Sequence, residues 1–102
     1  MSATGSIKAE GANKFIGSFT VSGVKVNITG NLSDSIQTWS CSDATLDYGS
    51  TGHLTSTRDF HGVIGTTTIS LQFTNGPSIT GNLDSSLTLA TTVVGSGTWE
   101  SD

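Results

Sequence analysis

Along much of this chain, apolar and polar residues alternate with a period of two. Such alternation is typical of a half-buried β-strand, in which successive side chains point to opposite faces. Three segments show it most clearly, at 15–21, 24–32 and 69–73. We therefore predict strands in these segments. The apolar positions that share one face within them are Phe15, Phe19, Val21, Val24, Val26, Ile28, Leu32, Ile69, Leu71 and Phe73.

A fourth alternating segment and several shorter ones complete the strand prediction. Leu87, Leu89 and Val93 alternate with other residues, which predicts a strand over 87–93. Gly-rich turn signals separate the segments, and none of them has the 3.6-residue apolar period of a helix. Shorter strands are expected near residues 7–9, 36–41, 45–48, 53–57, 59–63 and 97–100.

The pentapeptide Ile-Thr-Gly-Asn-Leu occurs twice, at residues 28–32 and 79–83. Each copy follows a Phe-Thr pair and a Gly turn, and each leads into Ser and Asp residues. One interpretation is a chance match in a sequence of low complexity, and the other is a pair of similar β-hairpin units. We favour the second, which predicts a pseudo-two-fold internal repeat within one sheet.

The composition suits a small all-β domain. Gly, Ser and Thr supply almost half of the residues, the hydrophobic fraction is 33%, and 12% of the residues are charged. Thr is at home on a pleated surface because of its β-branch, and closure of the sheet removes exposed strand edges. We predict a single domain over residues 1–102, folded as a closed antiparallel β-barrel of about eight strands, with a β-sandwich as the alternative.

The charge balance excludes some classes of partner. Four basic residues stand against eight acidic ones, which gives a net charge of −4. Nucleic-acid binding is not expected because it needs clustered Lys and Arg, and no apolar run is long enough for a transmembrane helix. The N-terminus lacks the pattern of a signal peptide. Localisation therefore stays open, secreted for a mature domain and cytoplasmic otherwise.

The C-terminal part of the chain resembles a known family. Residues 66–75, 79–83 and 91–99 are similar to the closing strands of the virulence-associated (Vap) proteins of actinobacterial pathogens, which end in a Val-rich strand, a Gly-rich stretch and a Trp. Upstream, residues 47–48 and 57–59 resemble the middle of that family's core domain. The resemblance implies a compact eight-stranded antiparallel barrel that is secreted, lacks enzymatic activity and carries no catalytic motif.

The chemically versatile side chains concentrate between residues 43 and 61. Asp59 and His61 are expected on one face of a strand, with Arg58 and Phe60 on the other. A carboxylate beside an imidazole can orient a general base, but no Gly-x-Ser-x-Gly elbow marks a nucleophile, so we predict no catalytic residues. The spacings match neither a zinc nor a calcium motif. We predict no metal and no cofactor.

The aromatic residues allow two interpretations. Trp39, Trp99 and Tyr48 would form a stacking platform for a sugar ring if they were exposed. In a domain with few large side chains, Trp39 and Trp99 are more simply core residues, with Trp99 closing one barrel end.

Two functions follow from these observations. The first is a non-enzymatic interaction protein of the Vap type, with a protein or a lipid surface as its partner. The alternative is a small carbohydrate-binding lectin, and a hydrolase built on Asp59 and His61 is the least favoured reading. The candidate binding residues are Trp39, Asp47, Tyr48, His53, Arg58, Asp59 and His61.

Overall fold

Eight antiparallel strands close into a barrel in the computed structural model, which describes residues 1–33, 35–50, 52, 54–74 and 76–101. Around the barrel the strand order is β1-β2-β3-β8-β5-β6-β7-β4, and β4 pairs with β1 to complete the circle. The predicted closed barrel is confirmed, and the sandwich alternative is wrong. The strands are β1 (Ser2–Ala9), β2 (Lys14–Val21), β3 (Val24–Leu32), β4 (Ser40–Asp47), β5 (Ser56–Ile64), β6 (Thr68–Phe73), β7 (Ser78–Asn82) and β8 (Thr91–Ser101).

The barrel consists of two Greek-key units. In the first unit β1, β2 and β3 follow one another across the sheet, and β4 returns beside β1. In the second unit β5, β6 and β7 do the same, and β8 returns beside β5. This fourth-first-second-third order defines a Greek key. The repeated pentapeptide lies in β3 in one unit and in β7 and the residue after it in the other. These strands are equivalent, as the pseudo-two-fold arrangement predicts.

The glycine of each pentapeptide sits where the barrel interior has no room for a side chain. A β-carbon on Gly30 would meet the ring of Phe15. On Gly81 it would meet Sγ of Cys41 at 2.5 Å. The glycine of the first unit therefore accommodates a large ring of its own unit, and the glycine of the second unit accommodates a small thiol that β4 of the first unit contributes.

The core is held by a chain of aromatic rings drawn from both units. Trp39 lies 6.1 Å from Phe15 between ring centroids, and Phe15 lies 5.4 Å from Phe60. Phe60 is 5.3 Å from Phe73, which is 5.1 Å from Trp99. These separations are those of favourable edge and tilted aromatic contacts. The rings thus link the two units through the centre of the barrel.

Two predicted strand segments are irregular instead. The segments 36–39 and 87–90 belong to connections, and Leu89 in the second is 73% exposed. Both connections help to cover the barrel without following the two-residue alternation, since Ile36, Leu83 and Leu87 pack against the core. They are also tied to each other. Oε1 of Gln37 accepts hydrogen bonds from N and Oγ1 of Thr88, at 3.1 and 3.0 Å.

Candidate functional site

The polar residues between 43 and 61 are not gathered into one site. They are divided between β4, the connection that follows it, and β5, and the strands β7 and β6 lie between β4 and β5 in the barrel. The predicted cluster is therefore distributed around the molecule. On β4 lie Asp43 and Asp47, in the connection Tyr48, and on β5 Arg58, Asp59 and His61; His53 lies outside the described residues.

The structure agrees with the interpretation of the tryptophans as core residues and contradicts the alternative of an aromatic platform. Trp39 is 2% exposed and Tyr48 is 6% exposed, so neither offers an open ring face to a sugar. Trp99 is buried as well, as its interpretation as a core residue requires. The indole Nε1 atoms of Trp39 and Trp99 are buried without a hydrogen-bond partner among the described residues. Both rings contribute apolar volume to a domain that has few other large side chains.

Arg58 supports the backbone. Its guanidinium donates hydrogen bonds to the carbonyl oxygens of Thr55, Gly52 and Thr74, at 3.2, 3.4 and 3.4 Å. Because Thr55 and Gly52 precede β5 and Thr74 follows β6, this side chain fastens the link between the two Greek keys to the second one. Its donors are thus committed within the fold.

As predicted, Asp59 and His61 share one face of β5 and Phe60 lies on the other. Asp59 and His61 are exposed on the outside, and Phe60 is buried in the core. Among the described residues, no hydrogen bond or ion pair joins the carboxylate of Asp59 to the imidazole of His61. The described part of the chain also holds no group of three His, Cys, Asp or Glu side chains placed to bind a metal ion. The two residues thus lack the contact by which a carboxylate orients a catalytic imidazole.

A groove of about 520 Å³ crosses the outer face of the first Greek key, and sequence reasoning did not predict it. Pairing registers place Ser6 beside Ser18 and Ser18 beside Asn27, which forms one row across three strands. A second row, parallel to the first, runs through Ser40, Lys8, Ile16 and Thr29. The short serines lie between longer neighbours, so this part of the surface is depressed. We call it the serine groove. Its lining also includes Lys25, Ser42, Asp84 and, beneath the outward side chains, the apolar residues Ile7, Gly17 and Ile28.

Asp84 forms one wall of the serine groove by binding a β-bulge. The pairing of β1 with β4 shifts between Gly5 and Ile7, which leaves an extra residue on β4. There the N–H of Ser42 donates to Oδ1 of Asp84 at 3.0 Å. The hydroxyl of Ser42 donates to the same oxygen at 2.7 Å, and that of Ser40 donates to Oδ2 at 2.9 Å. The carboxylate therefore fastens the connection 83–90 to β4.

These hydrogen bonds also set the acidity of Asp84. The Ser42 N–H, followed by the hydroxyls of Ser42 and Ser40, lowers the pKa of the carboxyl below its ordinary value of 3.8. Hydrogen bonds donated to a carboxylate favour its charged form. Asp84 is thus a weak base.

Cys41 lies on the inner side of β4 and contributes to the core. It is a free cysteine with no exposed surface. Burial raises the pKa of its thiol, which disfavours the reactive thiolate. We expect the thiol to behave as a small apolar side chain.

The internal repeat allows the serine groove to be compared with the second unit. Since Ile28 matches Ile79, Asn27 matches Ser78 one position earlier. The pairing registers carry this match across the neighbouring strands. The row Asn27, Ser18 and Ser6 of the first unit corresponds to the row Ser78, Gln72 and His61 of the second.

Long side chains thus occupy the second unit at the positions where the groove has serines. Gln72 stands where the first unit has Ser18, and His61 stands where it has Ser6. Both are exposed on the outer face. The difference was within reach of the sequence, because alignment of the two pentapeptides and their preceding Phe-Thr pairs places Ser18 opposite Gln72. Only the strand pairing, however, shows that Ser6 extends the same row.

No family model, curated protein or solved structure matches the chain. The eight-stranded barrel agrees with the fold that the Vap resemblance implied, whereas membership of that family stays a prediction. A fold of this kind does not by itself assign a function. Among the described residues, no helix has the length and apolar character needed to cross a membrane.

Proposed function

We propose that this protein is a non-enzymatic binding protein and that its ligand lies in the serine groove. The observation that carries the proposal is the contrast between Ser6 and Ser18 in one unit and His61 and Gln72 in the other. Two units of the same topology differ here in side-chain volume on the outer face. A groove of about 520 Å³ falls within the range of roughly 300–1,000 Å³ that small-molecule sites occupy.

The chemistry of the groove supports binding over catalysis. The hydroxyls of Ser40 and Ser42 both donate to Asp84, so a carboxylate does lie next to candidate nucleophiles. Its lowered pKa makes it a poor acceptor for a serine proton, however, and general bases work best with a pKa near the working pH. Outside the groove, Asp59 and His61 lack the contact that would orient the imidazole.

The two functions expected from the sequence differ in how well they agree with the proposal. The Vap resemblance implies a non-enzymatic barrel, which is compatible with the proposal. The lectin alternative loses its aromatic platform because Trp39 and Tyr48 are buried. A sugar would have to be held by the polar side chains of the serine groove instead.

The test fills the groove with a side chain that the fold already carries at the matching position. Ser18→Gln introduces the residue found at Gln72, and Gln72→Ser is the matched control on the second unit. Wild type and both variants are screened against an immobilised glycan array and, by thermal shift, against a library of small metabolites.

We expect at least one ligand that binds wild type and Gln72→Ser but not Ser18→Gln, while all three proteins have similar circular dichroism spectra. The proposal is wrong if neither screen yields a ligand. It is equally wrong if every ligand found binds Ser18→Gln as tightly as wild type.

A further inference from the structure

We draw no further inference here: the strongest candidate, the apolar lining of the serine groove between Lys8 and Lys25, belongs to the site already described, and nothing in the structure shows what covers it.

Discussion

The two Greek keys of this barrel share a topology and a pentapeptide but differ on both sides of the sheet. Inside, Gly30 of the first unit accommodates the ring of Phe15 from the same unit, whereas Gly81 of the second unit accommodates the thiol of Cys41, which β4 of the first unit contributes. Outside, the serines of the first unit correspond to larger residues in the second. Inward residues are constrained by packing, whereas outward residues are free to differ because surface substitutions change stability little.

Cationic groups are also divided unequally. Lys8, Lys14 and Lys25 all lie on strands of the first unit. The second unit has Arg58, whose guanidinium donates to three backbone carbonyls. One unit thus carries its cations as exposed lysines, and the other uses its cation to hold a connection in place.

We expect the largest loss of stability when either tryptophan at the ends of the aromatic chain is truncated. Trp39→Ala and Trp99→Ala should each lower the free energy of unfolding by about 3–5 kcal/mol, because each leaves a large cavity in the core. Urea denaturation measures the loss. Replacement by Phe is the control and should cost less, since the indole N–H groups make no hydrogen bond among the described residues. A loss near zero for either Ala variant would show that its ring does not contribute to the packing of the core.

The sequence predicts the regular strands of the barrel better than it predicts the connections. Alternation in 24–32 and 69–73 correctly identifies β3 and β6, because a strand has one wet and one dry face. It also identifies the buried side chains of these strands, except that Val24, predicted to share their face, is 44% exposed. The repeat correctly identifies β3 and β7 as equivalent. The sequence wrongly predicts strands at 36–39 and 87–90, because the apolar residues of these connections cover the core without regular backbone pairing.

The candidate site was harder to predict, and the reason is physical. Charged and aromatic side chains between 43 and 61 are conspicuous in a chain of small residues, but β4 and β5 are not neighbours, so proximity in sequence does not bring them together. Ser6 and Ser18 are inconspicuous among many serines. Their importance depends on the register of β1 against β2 and on the larger residues at the matching positions.

The glycines of the two pentapeptides should differ in how strongly an added methyl group destabilises the fold. Gly30→Ala should be more destabilising than Gly81→Ala, since the new methyl group meets a packed ring in the first case and a small thiol in the second. Overpacking of this kind costs about 1–3 kcal/mol. The double variant Gly81→Ala and Cys41→Ala should lose less free energy of unfolding than the two single variants lose together. Urea denaturation of wild type, Gly81→Ala, Cys41→Ala and the double variant measures this coupling. Additive losses would contradict it.

A smaller effect concerns the β-bulge, a feature of the β1–β4 pairing that the β5–β8 pairing lacks. The lowered pKa of Asp84 means that its carboxylate stabilises the fold fully above its ordinary value of 3.8, and that this stabilisation is lost as the pH falls through the lower, folded-state pKa. Asp84→Asn should therefore reduce stability at neutral pH, and the gap from wild type should narrow in acid.

Asp59→Asn is the control at neutral pH, because it removes a carboxylate that lies exposed on β5 and accepts no hydrogen bond from the described residues. Thermal unfolding should show a larger loss for Asp84→Asn than for Asp59→Asn at neutral pH, and the gap between Asp84→Asn and wild type should narrow in acid. The effect is modest because the group is exposed to solvent. A gap that widens in acid would show that the hydrogen bonds from Ser40 and Ser42 do not hold the charged form.

The smallest expected effect tests whether the outer faces are independent of the framework. The double variant Ser6→His and Ser18→Gln transplants the row of the second unit onto the first. Because these positions point outward and their counterparts are accepted by the same topology, the free energy of unfolding should change by no more than about 0.5 kcal/mol. Urea denaturation is the measurement, with Gln72→Ser as the reverse change. A large loss would mean that the serines are needed for packing, and the contrast between the units would then reflect the curvature of the barrel and not the recognition of a ligand.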